Sequence, residues 1–409
     1  MTRLNRRRFL KTAGGSALAA ASWRTNLAGQ PQSPATAEIV VVGAGAFGGW
    51  TALYLREMGH TVALIDQYGP GNSRATSGGE SRQIRAVYGE REIYTKWVLQ
   101  AFERWQVREE EWGKKLFFRT GQLSLATEWT KELTETRKVF DRLGVNYEVV
   151  KPDDLDRLYP QMNTRGISVA LSTPSTGVLK AREGCVAVAQ AFQKKGGRFV
   201  TAKVELGQRG GGALRDVVLS TGQCVSAQTF VFACGPWLPK VFPSVMKNKL
   251  ATPRRAVFFY GTPPGDERFT YPNFPTWSVD NAYGFPSIEG RGFKVVPTFE
   301  RELVDPDTQE HSLTTDELRK GRAFVDKWFP ALAKQPLVDS RICQREDSVD
   351  DHFIVQPHPE LGNVWLVGGG SGHGYKHGIM LGDYVANRVV GADKNPELAA
   401  TFALKTGTF

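Results

Sequence analysis

Three glycines and one acid carry the most informative spacing in this chain. Gly43, Gly45 and Gly48 follow the apolar run at residues 39–42, an amphipathic stretch comes next, and a second apolar run ends on Asp66. A strand, a glycine turn, a helix and a second strand closed by an acid make up the βαβ unit that binds dinucleotides. Gly43 permits the tight turn, Gly45 lets the backbone approach a pyrophosphate, and Gly48 lets helix and strand pack closely. The helix start offers unpaired N–H groups and a positive dipole end to the anion. Asp66 is placed to accept hydrogen bonds from two ribose hydroxyls. A second strand–glycine loop–helix unit follows much later, where residues 364–367 enter Gly368-Gly369-Gly370-Ser371-Gly372-His373-Gly374-Tyr375-Lys376 and residues 379–390 read as a helix. Two such loops can close on one long cofactor from both ends.

The elements between these loops must position whatever they bind. Residues 67–80 form a long irregular stretch rich in Gly, Ser, Asn and Pro, and a loop of that length in a compact domain is usually functional. It ends in Ser81-Arg82-Gln83-Ile84-Arg85, followed by Tyr88-Gly89 and an expected helix at 92–113. A change of texture at 117, with an alternating strand over 118–125 and helices at 130–143 and 153–159, reads as an excursion from the nucleotide sheet. An amphipathic helix at 182–195 and a glycine-tipped hairpin over 199–219 return the chain to that sheet. A buried strand at 229–234 then runs into Gly235-Pro236-Trp237, and such strand ends lie near the cofactor in doubly wound sheets. A second excursion spans about 249–337 and contains a helix at 316–329.

Formal net charge is +10, but residues 1–37 hold six basic residues (Arg3, Arg6, Arg7, Arg8, Lys11, Arg24) and no acid, which leaves +4 for the remainder. A charge of that size, with no nucleic-acid motif, argues against a nucleic-acid partner. Arg6-Arg7-Arg8-Phe9-Leu10-Lys11 and the mild apolar run after it resemble a twin-arginine export signal. That pathway carries folded proteins, so the expectation is an exported protein, periplasmic or extracellular, delivered by the twin-arginine machinery. No later stretch is apolar enough to span a bilayer. The four cysteines (Cys185, Cys224, Cys234, Cys343) show no metal or disulfide-framework spacing. His373 and His377 sit four apart, but the glycine loop and the lack of a third local ligand argue against a metal site.

From residue 38 onward the chain resembles the monomeric sarcosine oxidase family, a branch of the D-amino-acid-oxidase-like FAD enzymes that includes N-methyltryptophan oxidases. Four patterns carry the resemblance: the first glycine triplet with Asp66; Ser81-Arg82-x-x-Arg85 with Tyr88-Gly89; Tyr283-Gly284-Phe285-Pro286 with Lys294; and Cys343 nine residues before His352-Phe353, followed by Ser371 to Lys376. It implies an α/β fold, with a Rossmann-like FAD-binding domain and an inserted substrate domain of antiparallel β-sheet plus helices. The expected FAD-binding segments are 38–116, 174–243 and 338–398, and the substrate segments 117–173 and 244–337, after a signal and linker at 1–37. The cofactor implied is FAD, joined to Cys343 by a thioether, with Gly43, Gly45, Gly48, Asp66, Ser81, Arg82, Gly372, His373, Gly374 and Lys376 around it. Arg85 and Lys376 look like the pair that holds a substrate carboxylate; the planar fork of an arginine suits that anion. Lys294 looks like the family's oxygen-activating lysine, and Tyr283 like the tyrosine of the substrate pocket.

Three departures bear on the substrate. Sarcosine oxidases carry a histidine pair where this chain has Ser77-Gly78, a histidine where it has Thr298, and a tyrosine where it has Arg345. Arg345 is therefore expected to add a cation near the flavin and to favour a larger or more acidic substrate. The function implied is FAD-dependent oxidation of an amino-acid C–N bond, foremost oxidative demethylation of a secondary amine, with O2 reduced to H2O2 by a monomeric enzyme. Two alternatives stand beside it: an exported dehydrogenase that passes electrons to a quinone or carrier, and a flavin-binding protein without turnover.

Overall fold

The computed structural model describes residues 35–409, so the expected export signal lies outside the described residues. Strand β1 (Ala35–Val42) is the centre of the first sheet, with parallel neighbours β2 (Val62–Asp66) on one side and Cys224–Phe232 on the other. Ile39, Val40, Val41 and Val42 are all buried, which is why the strand reads as a continuous apolar run and does not alternate. Arg198–Thr201 extends the parallel set beyond β2, and Val364–Gly368 pairs in parallel with Cys224–Phe232. The antiparallel strands Val204–Leu206, Asp216–Leu219 and Ile354–Pro357 complete this eight-stranded sheet. Helix α1 (Ala46–Glu57) packs against helices Ala181–Lys194 and Gly378–Val389. Gly378 and Gly382 let the last of these lie directly on Ala46 and Trp50.

A second eight-stranded sheet runs in the order Leu337–Gln344, Arg254–Tyr260, Phe293–Pro297, Ala282–Phe285, Thr276–Val279, Gln122–Ala126, Val169–Thr173, Glu148–Val150. It is antiparallel except where Thr276–Val279 meets Gln122–Ala126 in parallel. Its two faces follow the period-2 rule. Phe258, Tyr260, Ile342, Phe293, Val295 and Trp277 form one core with Val325 and Trp328 of helix Thr315–Trp328. Val257, Phe259, Val296, Phe285 and Cys343 occupy the other face. Strand β3 (Ser81–Ile84) joins Gly177–Lys180 and Phe117–Phe118 in a small third sheet.

Two sequence expectations need correction. Leu337–Gln344 is the edge strand of the second sheet, paired with Arg254–Tyr260, so the FAD-binding boundary expected at 338 falls inside a strand of the other sheet. The strand expected over 118–125 is two strands, Phe117–Phe118 and Gln122–Ala126, in different sheets. The turn at Gly121, with φ +72°, separates them. Neither error is visible locally, because an apolar strand does not record which sheet supplies its partner. Among the described residues no helix is long and apolar enough to cross a membrane.

Candidate active site

A cavity of about 1380 Å³ lies between the sheets. That exceeds the roughly 300–1,000 Å³ of ordinary ligand pockets and leaves room for a dinucleotide together with a substrate. Gly43, Gly45, Asp66, Arg82, Arg85, Tyr283, Lys294, Cys343, Arg345, Gly372, His373, Gly374 and Lys376 all line it.

The first glycine turn divides its labour as the motif requires. A β-carbon at Gly43 (φ +105°) would collide with the Ala233 carbonyl, and one at Gly48 with the Gly43 carbonyl. Gly48 is thus a packing residue behind the cavity wall. At Gly45 the nearest atom to a β-carbon would be Ser77 Oγ at 3.5 Å, so the turn is open to the cavity there. Gly45 caps α1 without a side chain, and no acid sits in its first turn. The helix amides therefore suit a pyrophosphate. Asp66 accepts from the backbone N–H of Ala44 (2.7 Å), Tyr68 (2.9 Å) and Gly69 (2.8 Å). It shapes the turn as well as presenting a carboxylate to the cavity. Burial raises its pKa and these three donors oppose the rise.

Cys343 is buried among cations. Arg82 Nη2 lies 3.2 Å from its Sγ. Burial pushes the thiol's pKa up, but Arg82, Arg341, Lys294 and Arg345 outweigh that and hold it below the ordinary value. This is the setting that generates a thiolate nucleophile. Lys294, only 3% exposed, donates to Ser81 O (2.9 Å) and Ser81 Oγ (3.1 Å). Burial first, then Arg82 and Arg341, press its pKa well below that of an ordinary lysine. Ser81 thus serves as the anchor of Lys294.

A second cationic group surrounds Tyr88. The Arg85 guanidinium lies 4.7 Å from the Tyr88 ring centroid and Lys376 Nζ 5.3 Å. Arg85 donates to Val87 O and Lys376 to His373 O. Burial and then Arg85 push the lysine's pKa well down. Among the described residues neither cation has a carboxylate partner, and an anion placed between them would satisfy both. The Tyr88 hydroxyl meets His377 Nε2 (2.7 Å) and His373 Nδ1 (3.3 Å), and His373 Nε2 meets Asp351 O (2.9 Å). These histidines brace the anion site from behind. No metal-holding cluster occurs among the described residues.

Arg345 is ion-paired with Asp347 through Nη2 (2.8 Å) and Nε (3.1 Å). Its guanidinium carbon would lie 2.7 Å from a β-carbon at Gly372 (φ +70°). The sequence reading singled out neither Glu346 nor Arg255, and both line the cavity. Glu346, 4% exposed, accepts from Gly369 N–H at 2.9 Å, and burial pushes its pKa up to about 7 against the donors of Gly369 and Gly370. Arg255 projects from the second sheet; residues 256–260 after it are uniformly apolar and all buried, so the sequence carried no alternation to assign its face.

Residues 38–388 match the family described as DAO, FAD dependent oxidoreductase. The chain is similar to monomeric sarcosine oxidase of Bacillus sp. (strain B-0618), 25% identical over 85% of this chain and 91% of that protein. It is similar also to peroxisomal sarcosine oxidase of Mus musculus, 28% identical over 84% and 90%. The crystal structure of L-proline dehydrogenase from P. horikoshii shares the fold, with a TM-score of 0.78 at 19% identity, covering 89% of this chain and 96% of that one. The glycine turn, open at Gly45, and the large cation-lined cavity beside it fit the cofactor of that family. The chain belongs to the DAO family of FAD-dependent oxidoreductases.

Proposed function

We propose that this enzyme oxidises the C–N bond of an N-substituted amino acid, foremost an N-methyl amino acid, and that O2 is the electron acceptor. The observation that carries the reading is the Arg85–Lys376 pair, two adjacent cations without a carboxylate partner among the described residues, lining the same cavity as Cys343 and Lys294. Arg85 and Lys376 hold the substrate carboxylate and thereby orient the amine. Bound FAD supplies the two-electron chemistry. Lys294 holds a positive charge where negative charge develops as O2 is reduced. Tyr283 forms part of the substrate wall. Overall, amine, O2 and water give the dealkylated amine, an aldehyde and H2O2.

Attachment of FAD through a Cys343 thioether, twin-arginine export and a monomeric state belong to the same proposal. The lowered thiol pKa supports the first and the arginine motif at residues 6–11 the second. Arg6→Lys with Arg7→Lys is expected to retain the protein in the cytoplasm. The reading itself is tested by mixing the holoenzyme anaerobically with sarcosine and a panel of N-methyl and cyclic amino acids, then admitting air. Bleaching of the flavin band and rapid recovery in air are expected. Bleaching without rapid recovery would point to an electron carrier in place of O2, and no bleaching by any amine would overturn the reading.

A further inference from the structure

Arg255 stands opposite Cys343 in the register of the second sheet, on the face that carries Val257, Phe259, Tyr283 and Lys294. Its half-buried side chain lines the cavity. The other cations around it are all engaged. Arg82, Arg341 and Lys294 donate to backbone carbonyls, and Arg345 is matched by Asp347. Among the described residues the Arg255 guanidinium has neither a hydrogen bond nor an ion pair. Burial first and then Arg345 lower its pKa, against Tyr283, Asp347 and Cys343, so its charge is only partly compensated by the protein around it.

We propose that Arg255, flanked by Arg345, is a second anion subsite, and that the substrate is a dicarboxylic secondary amine. One carboxylate is held by Arg85 and Lys376 and the other by Arg255. This rests on the oxidase reading above and narrows its substrate class. Five N–H donors in a planar fork suit a carboxylate. The two anion subsites come from separate elements, the second sheet on one side and the β3 turn with the later glycine loop on the other, and both line the one cavity. The second acid belongs either to the amino acid's side chain or to the substituent on nitrogen.

The test uses the holoenzyme and two unreactive thioethers that mimic a secondary amine, thiodiacetate with two carboxylates and (methylthio)acetate with one. Binding is read by calorimetry and by perturbation of the flavin band. Wild type is expected to bind thiodiacetate about ten- to a hundredfold more tightly, the range of a charge-assisted hydrogen bond. That ratio should fall towards one in Arg255→Gln and recover partly in Arg255→Lys. A wild-type ratio of one or less, or a ratio unchanged in Arg255→Gln, overturns the proposal. Thermal unfolding of both variants separates loss of the fold from loss of the subsite. Anaerobic reduction by N-methylaspartate against iminodiacetate then tells which position bears the second acid, and reduction of the flavin by sarcosine at least as fast as by either also overturns the proposal. Should no amine reduce the flavin, the oxidase reading fails, while the thioether ratio still decides the role of Arg255.

Discussion

Lys294 Nζ donates to both the carbonyl and the hydroxyl of Ser81, at 2.9 and 3.1 Å. The bond joins the second sheet to the small third sheet across 213 positions and fixes the ammonium on the cavity side. Lys294→Met is expected to slow reoxidation of reduced enzyme by O2 on the order of a hundredfold and to change reduction by substrate far less. Stopped-flow measurement of the two half-reactions checks this, and equal slowing of both would remove Lys294 from the oxygen step. Because its pKa lies well below the ordinary 10.5, the charge is lost as pH rises through that lowered value. Reoxidation of wild type should therefore decline with rising pH earlier than an exposed lysine would allow.

Arg85 and Lys376 converge on Tyr88, and among the described residues neither has a counter-ion. Truncating either, as Arg85→Ala or Lys376→Met, should cost roughly 1.5–3 kcal/mol of transition-state stabilisation, or about ten- to a hundredfold in kcat/KM, for carboxylate substrates. The decarboxylated amine should be affected much less. Steady-state kinetics with both compounds provides the comparison, and equal losses would count against carboxylate recognition.

Glu346 is buried against the second glycine loop with its pKa raised from 4.5 to about 7. The folded protein thus binds this proton more tightly than the unfolded chain. Its contribution to stability is fully present below pH 4.5 and is lost as pH rises to about 7, a loss of up to roughly 3 kcal/mol. Glu346→Gln should gain stability relative to wild type across this window, the difference growing with pH and then levelling off. Urea unfolding of both proteins from pH 4.5 to 8 measures it, and a difference independent of pH would refute the assignment.

Gly45 and Gly48 should fail in different ways. Gly48→Ala meets the Gly43 carbonyl and is expected to lower the yield of folded protein. Gly45→Val finds no atom nearer than 3.5 Å to its β-carbon, so it should fold with normal circular dichroism yet carry little flavin. Flavin-to-protein absorbance ratios distinguish the two. Normal flavin content in Gly45→Val would show that the cofactor does not approach this turn.

Cys343→Ser should leave a flavin that is released on denaturation, whereas the wild-type chain should keep its flavin fluorescence through a denaturing gel. Release from both would rule out the thioether.

Elements whose signals are local were legible in the order of the amino acids. The apolar run of β1, the glycine turns, the helix starts and the alternation of strands each depend on neighbouring residues and on the backbone angles that glycine permits. The Gly43–Gly48 turn with Asp66 and the later loop from Gly368 to Lys376 were legible for that reason. Tertiary structure alone decided which of those elements meet. It put Cys343 on the edge strand of the second sheet and made Ser81 the anchor of Lys294. It also matched Arg345 with Asp347, the neutralised partner of a cation that the sequence left free. Glu346 and Arg255 became visible as cavity residues in the same way. Burial, counter-charge and cross-strand register join residues hundreds of positions apart, and a side chain's electrostatic role is set by those neighbours and not by its own type.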